Sequence, residues 1–336
     1  MTTTLSHPVA SGPLAAASRP FRSAVRPRLS QMGSRGLHAG LATTLMFGVV
    51  AGAAPLEGQL VSREGRELVR PASDSLPREP WGRRLGAAPM SDRRFEEERR
   101  YPAPEARQGV AADADHFYAV GNRTIAKYDR ETGERVALFE SPADGPLIHL
   151  NSCVVLDARL VCAHSNHPGI PMLSSVEIFD AATLQPVESR SLGVYEGSLT
   201  WVIRHDGSWW MHFAHYGNYS GVPGHGPERS TLVRLDDDWR RLASYAYPVS
   251  LMEAFTPNSS SGGNWGADGR LYVTGHDEAE VYVLELPEQG SVLEWVETIP
   301  APMEGQAWVF DPTDPARVFG ILRGSGEVVT GRLTGG

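Results

Sequence analysis

From about residue 95 onward the chain is a succession of short runs in which apolar and polar residues alternate, each closed by Gly, Asp, Asn or Pro. Alternation with period two sends neighbouring side chains to opposite faces, which is the mark of a half-buried β-strand. No stretch carries the 3.6-residue periodicity of a convincing amphipathic helix. Aligned by their turns, the runs fall into five similar units. First strands are QGVAADAD, NSCVVLDAR, SLTWVIRHDG, GGNWGADG and QAWVFDPTDP, and second strands are HFYAVGN, LVCAHSN, WWMHFAHYGN, RLYVTGHD and RVFGILRG. Third strands such as TIAKYDRETG and SVEIFDAATL follow, then fourth strands such as RVALFES and EWVETIP. Four strands in a period of roughly 40–50 residues make a propeller blade.

The fifth unit has no fourth strand before the chain stops. One phrase supplies it. EWVETIPAPMEGQ, residues 294–306, is a fourth strand running into a first strand, and FEEERRYPAPEARQG, residues 95–109, has the same form ahead of the first unit. The earlier segment therefore belongs to the last blade. The expected fold is all-β, a five-bladed β-propeller over residues 95–336, with the ring closed by an N-terminal strand in the C-terminal blade. Closure of that kind removes two exposed sheet edges. A two-sheet sandwich is the alternative architecture.

The N-terminal third differs. Arg35 precedes an apolar run from Leu37 to Val50 and a small-residue stretch, AGAA, at 51–54. This is the layout of a targeting segment with a cleavage site, so residues 1–54 are expected to direct export, with Met32 as a candidate true start. The run is too short and too interrupted for a comfortable membrane span, and no stable membrane insertion is expected after processing; a retained N-terminal anchor is the other reading. Residues 55–94 are rich in charge, Pro and Gly and are expected to be a disordered linker. The net charge is −9; since 5 of the 31 basic residues and none of the 40 acidic ones lie in 1–54, the remainder carries 26 against 40, or −14. So acidic a body is ill suited to a nucleic-acid backbone. If Asp157 and Ala158 form a two-residue hairpin turn, Cys153 faces Cys162 in a closely spaced pair. An oxidising periplasmic or extracellular setting would join them in a disulfide; two buried thiols is the alternative.

Propeller topology brings the starts of the first strands and the ends of the second strands to one mouth of the central channel. The first-strand starts are polar in every unit: Gln108; His149, Asn151 and Ser152; Glu196, Ser198 and Thr200; Asn258 to Ser261 with Asn264; Glu304 and Gln306. Small polar residues also help a tight ring to close, which is the purely structural explanation. Second-strand ends carry CAH, FAH and TGH, placing His164, His215 and His276 at matching positions, with Asn122 of VGN in the first unit. The loops that follow two of them are the longest in the repeat region, and long polar loops on a rigid frame commonly bind ligands. Ligand binding is therefore expected at His164, His215, His276, Asn151, Asn264, Gln306 and Asn122. A shared metal is not expected, because second-strand ends in a five-fold ring lie too far apart for three imidazoles to meet one ion at roughly 2.0–2.1 Å. Glu196 and Glu304, in equivalent EG dipeptides, are candidate acid–base carboxylates together with His215. Trp265 and Trp308 are candidates either for packing between blades or for stacking on a sugar.

The phrases HLNSCVV, CAHSN, SSVEIFD, FAHYGN, NWGADGRLYVTGHD and EGQAWVFD resemble those of exported bacterial β-propeller proteins often labelled cycloisomerase, over roughly residues 100–336. That label rests on a distant likeness to fungal carboxymuconate-lactonising enzymes, which are seven-bladed and use no cofactor. The resemblance implies a propeller and suggests an isomerase; with five blades here, no catalytic residue transfers one by one. Two functions follow. One is a cofactor-independent cycloisomerase or lyase acting on a carboxylate or sugar acid. The other is a non-catalytic module, a monomer, that binds a glycan or small ligand.

Overall fold

The computed structural model describes residues 88–217 and 222–335. The expected targeting segment, 1–54, and the linker up to residue 87 lie outside the described residues. Strand β1 is Arg94–Pro102. The first blade is β2 (Gly109–Ala112), β3 (His116–Val120), β4 (Thr124–Asp129) and β5 (Arg135–Glu140). The second is β6 (Leu150–Leu156), β7 (Arg159–Ser165), β8 (Ser174–Asp180) and β9 (Pro186–Gly193). The third is β10 (Ser198–His205), β11 (Ser208–Ala214), β12 (Thr231–Leu235) and β13 (Arg241–Ala246). The fourth is β14 (Gly262–Trp265), β15 (Leu271–Thr274), β16 (Glu280–Glu285) and β17 (Glu294–Pro300). The fifth is β18 (Val309–Asp311), β19 (Asp314–Leu322) and β20 (Glu327–Thr334), completed by β1. The fold is thus the five-bladed propeller that the repeat implies.

Closure is made by β1, which pairs antiparallel with β20 from Arg94↔Thr334 to Pro102↔Glu327. The register slips between Glu97 and Arg99. The unpaired bulge residue, Glu98, turns its carboxylate to Arg317 on β19 and Arg332 on β20, at 2.7 and 2.8 Å. Described residues ahead of residue 95 also pair with a blade. Residues 89–91 run beside β17, where Thr298 N–H donates to Pro89 O and Ser91 N–H to Thr298 O, and Arg93 pairs with Glu297 at 3.0 Å.

Five apolar clusters fill the five wedges between neighbouring blades. Each takes the outward-alternating residues of one sheet and the inward-alternating ones of the next, so every sheet is covered on both faces. One element departs from the sequence reading: α1, Val249–Phe255, crosses from the third blade to the fourth and buries Leu251, Met252 and Phe255. Seven residues are too few for a periodicity window to register.

The hairpin at Asp157–Ala158 forms as expected. Both residues have positive φ, 48° and 61°, the requirement of a type I′ turn. The register Leu156↔Arg159 through Cys153↔Cys162 follows. The cysteines are joined, with Cα atoms 4.0 Å apart.

Two expectations test this construction. A chain starting at residue 88 should fold, whereas one starting at residue 109 should melt lower by roughly 10 °C or more, the equivalent of about 3 kcal/mol in a domain of this size. Equal melting temperatures would refute closure by β1. Mass spectrometry of unreduced protein should show peptides joined at Cys153 and Cys162, and Cys153→Ala with Cys162→Ala should cost about 2–3 kcal/mol in urea titrations, the value for a short closed loop. Free alkylation of both thiols would contradict the bond.

Candidate functional site

The axis is built first from what can fit. A Cβ on Gly109 would lie 2.5 Å from Ala307 Cβ, and one on Gly262 would lie 2.6 Å from Gln306 O. Where β2 meets the fifth blade, backbone bonds cross directly, Ala307 N–H to Gln108 O at 3.1 Å. Elsewhere polar side chains tie one inner strand to the next. Asn151 donates to Leu199 O at 2.8 Å, Thr200 to Ser260 O at 2.9 Å and Asn264 to Trp308 O at 2.6 Å. The polar starts of the first strands therefore do close the ring.

Above these ties lies a cavity of about 370 Å³ at the channel mouth, lined by Gln108, His149, Asn151, His167, Thr200, Tyr216, Asn258, Ser261, His276, Gln306 and Arg323. Arg323 is the one formally charged side chain among them, and no carboxylate lines the cavity. Gln306 is buried, 2% exposed, at φ 68°. The left-handed conformation is costly for a residue with a Cβ. Thr274 Oγ1 holds its carbonyl at 2.6 Å, while its side-chain Nε2 has no hydrogen-bond partner. His276 Nδ1–H donates to Asp277 Oδ1 at 2.5 Å, and its Nε2 accepts from Arg323 Nη1 at 3.0 Å. On the opposite wall, His149 packs on His167 with ring centroids 5.0 Å apart, and His167 packs on Tyr216 at 4.7 Å.

The first-strand reasoning located much of this lining, including Gln108, Asn151 and Gln306. Of the second-strand histidines, His276 lines the mouth as expected, and His164 and His215 do not. The three matched histidines do not share a pocket: His276 lines the mouth, His164 a cavity between the first and second blades, and His215 another beside Glu196. His164 Nε2 accepts from Ile148 N–H at 3.2 Å and His215 Nε2 donates to Glu196 O at 2.7 Å. Ile148 and Glu196 each stand two residues ahead of their own blade's inner strand. Both imidazoles therefore pin the lead-in to that strand. A second strand lies one spacing off the axis, so its end can face a side cavity, as at His164 and His215, or the channel, as at His276 and Arg323.

Of the proposed acid–base set, Glu196 and His215 line one side cavity away from the mouth, and Glu304 stands apart from both. Glu196 is ion-paired with Arg241, and Glu304 is exposed and lines neither the mouth nor the His215 cavity. Asn264 is the tie described above and does not line the mouth. Asn122 accepts from Gln108 Nε2 at 2.7 Å on the rim. Trp265 stacks against His205 at 4.5 Å and Trp308 lies in the wedge between the fourth and fifth blades, so both are packing residues. Arg323 escaped the sequence reading, although a signal existed: it ends the second strand of the fifth unit, the position held by Asn122, His164, His215 and His276 in the others. Among the described residues no group of three or more His, Cys, Asp or Glu could hold a metal ion.

No protein-family profile and no curated protein sequence matches the chain. Among solved structures, Kuenenia stuttgartiensis hydrazine synthase is similar with a TM-score of 0.38 and 14% identity, over 67% of this chain and 70% of that one. So distant a likeness carries no argument, and the propeller rests on the sheets themselves.

Charge at the mouth is set by burial. Desolvation, aided by the proximity of His167, His164 and Arg323, pushes His149 down to about 3, and burial with neighbouring His276 lowers His167. Burial alone would raise the Asp277 carboxyl, but hydrogen bonds from His276 and Asn258 and the charge on Arg323 outweigh it and hold it low. Beneath the mouth, His212 is wholly buried and lies at about 3. Tyr247 O–H donates to its Nδ1 at 2.8 Å and its Nε2–H reaches Ser259 Oγ at 3.2 Å, so the neutral ring is fully satisfied.

A pH dependence of stability follows. His149 and His212 are depressed on folding, so the unfolded chain takes up protons below about 6.5 while the folded one does not until about 3. Their stabilisation is complete above pH 6.5 and is lost as pH falls toward 3, each group contributing up to about 1.4 kcal/mol per pH unit. Urea unfolding at pH 7 and pH 5 should differ by about 2–4 kcal/mol. Equal stability at the two pH values would mean that neither ring is held neutral.

Proposed function

We propose that the channel mouth binds a small organic acid or sugar acid, in a protein that works outside the cytoplasm. The observation that carries this is the lining: one guanidinium, three imidazoles, several amides and no carboxylate. Arg323 presents a planar fork suited to a carboxylate. Gln306 Nε2, buried without a partner, offers a donor that a ligand oxygen would satisfy, relieving the desolvation cost of an unmade hydrogen bond. The neutral, stacked rings of His149 and His167 supply a flat wall of amphipathic character. A cavity of about 370 Å³ is at the small end of ligand sites and suits a molecule of monosaccharide size. The disulfide is compatible with an oxidising compartment, and no helix among the described residues is long and apolar enough to cross a membrane.

A second reading, a cofactor-independent cycloisomerase or lyase, is favoured by the Asp277–His276 pair. Asp277 fixes the Nδ1–H tautomer, which leaves Nε2 as the basic nitrogen. A ligand carboxylate that draws Arg323 onto itself would free that lone pair to accept a proton beside the bound acid. In this reading His276 takes the role first assigned to His215, Glu196 and Glu304.

Thermal shift and calorimetry with sugar acids, muconate-type diacids and the matching neutral sugars test the proposal. Acids should bind and neutral sugars should not. Arg323→Gln should weaken binding by about 10- to 100-fold. His164→Ala should lower stability and leave affinity unchanged. Neutral sugars binding as tightly as acids would overturn the reading. Product detection by NMR, lost in His276→Gln with binding retained, would establish the enzyme.

A further inference from the structure

A second wide opening lies away from the axis. Between the outer strand of the first blade and the outer strands of the second is a cavity of about 600 Å³. Phe139, Pro142, Leu147, Leu173 and Pro186 contribute its apolar walls. On β8, alternation turns Ser175, Glu177 and Phe179 toward the first blade, and Phe179 sits in the apolar wedge. Glu177 thus occupies a position that a wedge would ordinarily fill with an apolar side chain. It lines the cavity and is 7% exposed.

Its hydrogen bonds are one-sided. Ser175 Oγ donates to Glu177 Oε1 at 2.6 Å and Ser189 Oγ to the same oxygen at 3.0 Å. Oε2 receives no hydrogen bond from the described residues. No Arg or Lys among them pairs with the carboxylate. The neighbouring His164 is not its counter-ion either. Ile148 N–H, a fixed donor, makes Nε2 an acceptor. The ring's proton is then on Nδ1, donated to Ser175 Oγ at 2.9 Å, and burial holds the ring in its neutral form. The relay Ile148–His164–Ser175–Glu177 directs every donor at Oε1 and leaves a negative charge in an apolar recess with no cation. Such a charge is costly unless a partner matches it.

We propose that this cavity is a binding site for an amine, an ammonium group on an apolar body, with the nitrogen on Glu177 Oε2 and the body against the apolar walls. The site is separate from the channel mouth and has the opposite charge preference.

The test uses the full chain and three probes of one shape: 2-phenylethylamine, 2-phenylethanol and 3-phenylpropionate, titrated by calorimetry at pH 7. The amine should bind about 10- to 100-fold tighter than the alcohol, and the carboxylate should bind weakest. Glu177→Gln should bring amine and alcohol to near-equal affinity. Arg323→Gln, at the mouth, should leave amine affinity unchanged. Should Glu177→Gln fail to fold, Leu173→Lys, at a position 42% exposed on the cavity rim, should place a competing ammonium there and weaken amine binding about tenfold without affecting the alcohol. Nα-Acetyl-lysine amide distinguishes the source: affinity equal to the free amine would assign a lysine side chain, and weaker affinity a small amine. An amine that binds no tighter than the alcohol, or amine affinity unchanged in Glu177→Gln, would overturn the proposal.

Discussion

At the propeller axis a single methyl group decides whether the inner strands can meet. Gly109 and Ala307 approach so closely that a second Cβ would stand 2.5 Å from the first. Five inner strands can converge only if the residues facing the axis are small. Small residues bury little apolar area, so the axis cannot be held by the hydrophobic effect alone. Directed hydrogen bonds take over, from Asn151, Thr200 and Asn264 to the next strand's carbonyls. A polar mouth is the consequence of this packing limit. Two of the residues that tie the ring, Asn151 and Thr200, also line the mouth, and Asn264 does not.

The wedges obey the opposite rule. They widen away from the axis and must be filled, and they hold the large rings: Phe117 with Tyr128, Trp210 with Trp265, and Tyr282 with Phe255. Some polar groups in them have their partners already in place, as His212 has in Tyr247 and Ser259. His164 and His215 belong to this system. Each spends one ring nitrogen on the lead-in to its own inner strand, fixing where that strand begins and hence where the polar ties fall.

Much of this was legible in the sequence because it follows from periods and turns. Alternation, the repeated APE and APM phrases and the two-residue turn at Asp157–Ala158 specify strand, closure and disulfide register, since a hairpin of known turn length has one register. Several first-strand starts, among them Gln108, Asn151, Thr200 and Gln306, were legible for the same reason: topology brings that end of the strand to the mouth. Of the second-strand histidines His276 was legible, but His164 and His215 were not. Repeat position specifies where a Cα lies, but not whether the neighbouring loop leaves a backbone donor or acceptor for the ring to cap. Ile148 N–H and Glu196 O claim His164 and His215, whereas His276 meets Asp277 and Arg323 instead. Gln306 shows the same limit from the other side. Its residue type is visible in the sequence, but its left-handed backbone and unpaired amide are features of the assembled ring alone.

Departures from the local rule mark the two cavities. At the mouth, a buried amide lacks a partner and a lone guanidinium stands among neutral rings. In the first wedge, a carboxylate stands where an apolar residue would pack, and its donors all serve one oxygen. A buried unpaired carboxylate and a left-handed non-glycine residue each cost stability. A fold with five equivalent blades makes the comparison internal. The wedges without such a residue, and the strand starts without such strain, show what the architecture requires on its own. The groups that exceed that requirement, positive at the mouth and negative in the wedge, are the ones that a ligand of complementary charge would complete.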